Sequence, residues 1–342
     1  MFVALRDIIH AKGRFGLVVA VVGLITLLVV MLSGLTGGLG KQNTSALESL
    51  EADAFMINSS DGEHAFASSR VTREDIAEHE GPATDALPLG TAQTSLDTPD
   101  GRTNVAVLSL PEGTEVAGGA AIPRTGAVAS QELLDDGASP GTDVRLGGEP
   151  VTIADNVADK YYSHSPVMWV STQTWRDVTR ADHGILGSVL VLNGEIEKDD
   201  PDVLSESAAF SALPAYDSEQ GSLQMIQAFL YVISALVIVS FLTVWTIQRT
   251  RDLSVLRALG ATPGYLFRDA LGQAALVLLV GSLLGAGIGG ALGWLVAGVV
   301  PFEMSVSTVA LPAAGVFVLG MLGALLATRR VTRVDPLVAL NA

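Results

Sequence analysis

The stretch LVVAVVGLITLLVVMLSGLTGGL, residues 17–39, runs for 23 residues without a charged side chain. A helix needs about 18 or more such residues to cross the hydrocarbon core of a bilayer. Outward from it the pattern recurs three times. MIQAFLYVISALVIVSFLTVWTI fills residues 225–247, and two further uncharged apolar segments fill 270–300 and 306–328. Lipid offers no partner for a backbone N–H or C=O, so each segment is read as a helix that satisfies itself. Four buried helices of a water-soluble protein would be the other reading, but none of these segments has a polar face. A cleavable signal is not the expected reading of the first one. Its apolar run is longer than a signal core, and no A-x-A pattern follows it.

Composition agrees. Of 342 residues 49% are apolar and only 16% charged, against about 25% charged in soluble domains, and mean hydropathy is +0.44. The net charge is −16 and there is no cysteine. That removes disulfides, thiolate catalysis and cysteine metal sites. The acidity, with no basic patch against it, excludes a nucleic-acid partner.

The charges are segregated. Arg6, Lys12 and Arg14 precede the first span; Arg249, Arg251, Arg257 and Arg268 lie between the second and third; Arg329, Arg330 and Arg333 follow the fourth. Residues 40–224 carry 10 basic and 31 acidic side chains. Short basic flanks stay in the cytoplasm. Both termini and the 248–269 loop are therefore expected inside a plasma or inner membrane, with 40–224 and the 301–305 turn outside. The fold class expected is a four-helix membrane protein with a large mixed α/β extracytoplasmic domain inserted between helices 1 and 2.

Within 40–224, alternating apolar runs predict strands at 104–110, 167–170 and 185–192. Helices are expected near 74–80 and 203–213. Asp61-Gly62, Asp100-Gly101, Pro140-Gly141 and Asn193-Gly194 mark turns. The acids read as a solvated face. His64, His79, His164 and His183 are too scattered for a metal cluster, and no hydrolase spacing occurs. Residues 1–16 read as an interfacial amphipathic helix, with Arg6, His10 and Arg14 on one face and Phe2, Leu5, Ile8 and Ile9 opposite. In the third span, Gly285, Gly289 and Gly293 form small-xxx-small steps, expected to pack against the fourth or second span. Gly34, Gly37, Gly38 and Gly40 are expected to end the first span, as a plain helix end or as a hinge.

The cytoplasmic stretch QRTRDLSVLRALGATPGYLFRD, residues 248–269, carries the sharpest signal. Leu253, Leu256 and Leu259 recur at helical spacing. Gly260 suits a left-handed helix end, and Thr262 with Pro263 can start the next helix. The result is a short helix offering three leucines on a charged scaffold, a surface suited to a partner's groove.

Within that stretch RDLSVLRALGATPGYLFR resembles the cytoplasmic signature of the FtsX-like, MacB-type permeases of ABC transporters. TRRVTRVDPLVALNA resembles their C-terminus. LRDIIHAKGRFGLV with MLSGLTGGLG resembles the branch of the haem exporter and DevC-like permeases, and NTSALESLEADAFMINSSDGEHAFASSRV its haem-exporter side. The resemblance implies a permease that pairs with a second copy of itself and with two copies of a separate cytoplasmic ATPase. That subunit would bind ATP and Mg, since no G-x-x-x-x-G-K-[ST] occurs here. Coupling would fall on Arg251, Leu253, Leu256, Arg257, Leu259 and Gly260. The chain would be no enzyme by itself, would hold no cofactor of its own, and would expel haem from the membrane.

Haem needs an axial ligand, usually His, Met, Cys or Tyr. The expected substrate residues are Met31 and Tyr231 within the spans, Met31 as an iron ligand, with Glu48, Glu51 and Met56 just outside. A lone Met in a span also serves packing, and an interfacial Tyr the aromatic belt. Other cargoes on the same architecture would be a lipid, a peptide antibiotic or a lipoprotein. A non-transporting transmitter that controls an external protein is the alternative of a different class. The spans hold no Asp, Glu, Lys or Arg, which argues against an ion-driven carrier.

Overall fold

The computed structural model describes residues 12–60, 63–116, 118–196, 200–214, 216–248 and 260–331. The chain divides into two compact units. One comprises residues 1–38 with 221–342, the other residues 39–220.

The first unit is built from four long helices, α1 (Lys12–Glu48), α5 (Tyr216–Gln248), α6 (Pro263–Val296) and α7 (Val306–Val331). All four are long and apolar enough to cross a membrane, as a multi-pass membrane protein requires. Several of their threonine hydroxyls bond back to their own helix. Thr26 donates to the Val22 carbonyl at 2.8 Å, Thr243 to Val239 at 2.7 Å and Thr328 to Ala324 at 2.7 Å. This satisfies each donor without a neighbour. The bundle core joins Phe15, Val18, Val22 and Val29 of α1 to Ile238 of α5, Val277 and Leu278 of α6, and Val316 of α7.

The small residues of α6 face α1, which corrects the expected partner. A Cβ on Gly281 would stand 2.8 Å from the Val22 Cβ, one on Gly285 2.7 Å from the Thr26 Cβ, and one on Gly289 3.1 Å from Val30. The stripe therefore reads Gly281, Gly285 and Gly289, and the backbones of α1 and α6 approach as closely as glycine permits.

The second unit follows the end of α1. Its strands are β1 (Ala54–Met56), β2 (Ser59–Ser60), β3 (Glu63–His64), β4 (Thr84–Thr98), β5 (Gly101–Leu110), β6 (Ala127–Ser130), β7 (Asp143–Leu146), β8 (Glu149–Val157), β9 (Tyr161–Tyr162), β10 (Ser165–Ser171), β11 (Val189–Gly194) and β12 (Val203–Ser205). Short helices α2 (Arg73–His79), α3 (Thr172–Thr179) and α4 (Glu206–Ser211) lie between them. The main sheet runs β12-β1-β11-β4-β5-β10-β6-β8-β7, and β7 pairs back onto β4 at Leu96↔Leu146 and Asp97↔Arg145. The strands from β4 to β7 thus close a barrel. Inward side chains such as Leu96, Val105, Val107, Val144, Ile153, Met168 and Val170 fill it, with Trp175 of α3 in the same cluster. A second core, around Phe55, Phe66, Leu108, Trp169 and Phe210, packs Ala46 and Leu47 of α1 into this unit.

Strands β5 and β10 contain the expected 104–110 and 167–170 runs. The expected 185–192 strand starts only at Val189. Helix α2 carries a capping box between Thr72 and Asp75. The expected helix at 203–213 splits, because Val203–Ser205 pairs with β1 and the helix begins at Glu206. The turn glycines Gly141 and Gly194 take φ +86° and +110°, while Asp61-Gly62 lies outside the described residues.

Candidate functional site

Two places bring together side chains that packing alone does not demand. The first is at the 301–305 turn between α6 and α7. Phe302 folds back into the space that Cβ atoms would need at Gly34 of α1 and at Gly293 of α6, where its Cε2 and Cζ respectively would lie 2.6 Å away. The Phe302 nitrogen lies 2.7 Å from a Cβ position on Gly38, and the Glu303 Cβ lies 3.2 Å from one on Gly37. The Glu303 N–H donates to the Gly34 carbonyl at 2.9 Å, and Ser305 caps α7 by accepting from Thr308 N–H at 3.1 Å. The glycine cluster neither ends α1 nor breaks it, since the helix continues to Glu48. It is a seat for the turn, and Gly293 belongs to this seat rather than to the α1–α6 stripe.

The expected substrate residues divide between the units. Tyr231 of α5 lies against α7, with its hydroxyl oxygen 3.1 Å from a Cβ position on Gly315, and packs against the bundle core. Met31 is half-buried on α1. In the other unit Glu48 ends α1, exposed, and accepts from the Thr44 hydroxyl at 2.5 Å. Glu51, also exposed, takes φ +49° at the turn after the helix. Met56 is only 1% exposed, packed among Ala54, Val71, Ala86, Leu190 and Leu192, so its thioether serves as core. Glu206 at the start of α4 is a carboxylate that sequence reasoning passed over. Burial and then the Glu48 charge raise its pKa, which sets two carboxylates in one field.

The second place, within the inserted unit, is the tight β9–β10 turn. Ser163 and His164 hold φ +50° and +62°. Their N–H groups donate to the carbonyls of Asn43 (3.2 Å) and Gln42 (2.9 Å) on the last turns of α1. Tyr161 N–H donates to the Ser45 hydroxyl at 2.9 Å. His164 Nε2 meets Glu219 Oε2 of α5 at 2.9 Å, and Asn43 Nδ2 donates to the same oxygen at 3.1 Å. One turn of the barrel strand β10 thus holds α1 and the first turn of α5 together. The period-2 and period-3.6 patterns give no sign of such a turn, and a lone His beside Ser carries no motif.

Of the coupling residues, Arg251, Leu253, Leu256, Arg257 and Leu259 lie outside the described residues. Gly260 has φ +98°, the left-handed value only glycine adopts without strain. Thr262 accepts from Tyr265 N–H at 3.3 Å with Pro263 at the first helical position. The left-handed turn at Gly260 and the start of α6 at Thr262 and Pro263 are thus both in place.

Residues 225–336 match the FtsX-like permease C-terminal family. The match takes in α6, α7 and most of α5, so over that part the chain is similar to the FtsX-like permeases of ABC transporters. Among relatives, the chain is 24% identical over 360 residues to a Staphylococcus haemolyticus protein whose name describes a hemin transport system permease, HrtB, covering 100% of this chain and 99% of that one. An HrtB of Staphylococcus epidermidis is 21% identical over 357 residues, with the same coverage. An uncharacterized ABC transporter permease of Mycobacterium bovis is 24% identical over 352 residues, covering 99% of each. The extracellular domain of the noncanonic ABC-type transporter YknZ from Gram-positive bacteria matches 50% of this chain and 95% of its own, at 13% identity and a TM-score of 0.32, too low to add to the argument.

Proposed function

We propose that this permease expels haem from the membrane, driven by ATP hydrolysis in a separate cytoplasmic subunit. The observation that carries the reading is the FtsX-like match over 225–336, which contains the whole 248–269 loop and the spans on either side of it. Two copies of an ABC ATPase would bind ATP and Mg and push on the helix carrying Leu253, Leu256 and Leu259. Both termini and that loop lie in the cytoplasm on this reading, following the basic flanks.

A second permease copy covers α5. Only 11% of its most apolar window is buried, against 33%, 39% and 28% for α1, α6 and α7. Met225, Phe229, Val232 and Leu236 stand open on it. In such a pair Met31 supplies an iron ligand. Tyr231 joins it in the bundle, and within the inserted unit Glu48 and Glu51 are further haem contacts, with the Glu48 charge acting on Glu206. Haem as cargo is supported by the full-length relatives whose names describe hemin transport and by the soft and anionic donors at these positions.

The test adds haem to the purified permease–ATPase complex in lipid and records its absorption spectrum. A bound-haem band that shifts in Met31→Ala supports the assignment. An unchanged spectrum and affinity in that variant would remove Met31, and no bound-haem band in the unaltered complex would remove haem.

A further inference from the structure

The Phe302 seat bears on how the bundle moves, an inference that rests on the transport reading. Four glycines from two helices surround one turn. Gly34, Gly37 and Gly38 line one face of α1, and Gly293 closes the seat from α6. The contact is interlocked: the aromatic ring fills the notch, and the Glu303 N–H bonds to the Gly34 carbonyl at 2.9 Å. Below it, α1 and α6 touch nearly backbone to backbone along Gly281, Gly285 and Gly289, with the Val19 carbonyl 3.2 Å from a Cβ position on Gly281. Close-packed notches resist sliding, because any displacement drives side chains into backbone.

Helix α5 is held differently. It meets α7 chiefly through side-chain tips, Tyr231 at Gly315, Ile238 at Gly320 and Val239 at Gly323, with one backbone approach, the Ala235 carbonyl 3.7 Å from a Cβ position on Gly323. Only 11% of its most apolar window is buried. Rotamer changes can release such contacts without moving a backbone.

We infer that Phe302 is a keystone joining the outer ends of α1, α6 and α7 into one rigid body, against which α5 moves during the transport cycle. The ATP-driven push on the 248–269 loop then enters a bundle with one fixed part and one free one.

The absence of cysteine makes the test direct. In Gly37→Cys with Glu303→Cys, the two Cβ positions lie 3.2 Å apart, a little inside the roughly 3.5–4.5 Å of a disulfide, so a small outward shift lets the bridge form. In Val239→Cys with Gly323→Cys, a second bridge would pin α5 to α7. In the permease–ATPase complex, oxidising the 37–303 pair is expected to leave ATP turnover within about twofold of the reduced form. Oxidising the 239–323 pair is expected to lower it at least tenfold, with recovery on reduction. A 37–303 bridge that blocks turnover reversibly, or a 239–323 bridge that spares it, overturns the inference.

A second measurement needs neither haem nor ATPase, so it separates this inference from the transport reading. Spin labels at exposed Leu24 of α1 and Leu311 of α7 should give a narrow distance distribution in the permease alone. Labels at Leu311 and at exposed Val244 of α5, away from the 225–236 face given to the second copy, should give one at least twice as broad. Equal widths, or a broad Leu24–Leu311 distribution, would refute the keystone even if haem-driven turnover were found.

Discussion

Gly34 and Met56 are both small-scale decisions about space. A methyl group at Gly34 would overlap the Phe302 ring, so Gly34→Val should destabilise the bundle by about 1–3 kcal/mol, the usual cost of overpacking. Adding Phe302→Ala should recover much of that loss, because the overlapping atoms are then gone. Thermal unfolding in detergent measures both, and a double variant no better than Gly34→Val would count against the seat. Met56, at 1% exposure, is expected to behave oppositely to Met31. Met56→Ala should cost about 2–5 kcal/mol for the lost packing and leave the spectrum of bound haem as it was. Sequence reading grouped Met56 with the expected substrate residues because chemical type is visible in a sequence and burial is not. The alternation Ala54-Phe55-Met56-Ile57 is too short and too apolar throughout to tell which side chain faces inward.

At the scale of elements, helix α2 carries a titration that can be read. His79 Nδ1 meets the Asp75 carbonyl at 2.8 Å and its Nε2 meets Asp200 at 3.1 Å. Burial opposes the charge, yet the Asp75 carbonyl and the Asp200 carboxylate, with Glu78 nearby, hold the pKa above its ordinary value. A raised folded pKa means that the stabilisation is complete below the unfolded value near about 6.5. It fades as pH climbs through the folded one. Unfolding temperatures of the full chain and of His79→Gln should therefore differ by about 2–4 °C on the acid side of the unfolded value and draw together as pH rises through the folded one; a gap independent of pH would contradict the assignment. The β9–β10 turn makes a smaller electrostatic claim. His164 and Glu219 are 37% and 38% exposed, so their double-mutant coupling should stay below about 1 kcal/mol. The backbone bonds to Gln42 and Asn43 carry the rest of the hold. The strands and helices that sequence located are those with clean periodicity, 104–110, 167–170 and 74–80. The 203–213 run misled because its first three residues serve a strand partner, β1, that lies far away in the chain. Helix pairing was equally hidden: small-xxx-small spacing in α6 announces a close neighbour but does not say that it is α1.

For the whole molecule, length, charge segregation and four uncharged runs were sufficient to give a four-helix membrane protein with an inserted domain, because lipid imposes one solution on an apolar backbone. The closed barrel was not legible, since barrel closure rests on a two-residue pairing of β4 with β7 that no local pattern encodes. The same holds for cargo, which is set by a few donors rather than by the fold. Under the proposed function, the 248–269 loop passes another subunit's ATP cycle to the bundle that expels haem. The most direct measurement is haem-stimulated ATP turnover of the reconstituted permease–ATPase complex, compared between the unaltered chain and Leu256→Asp. The account predicts stimulation in the first and its loss in the second, with the bound-haem spectrum retained. Stimulation that survives Leu256→Asp, or none in the unaltered complex, would contradict it.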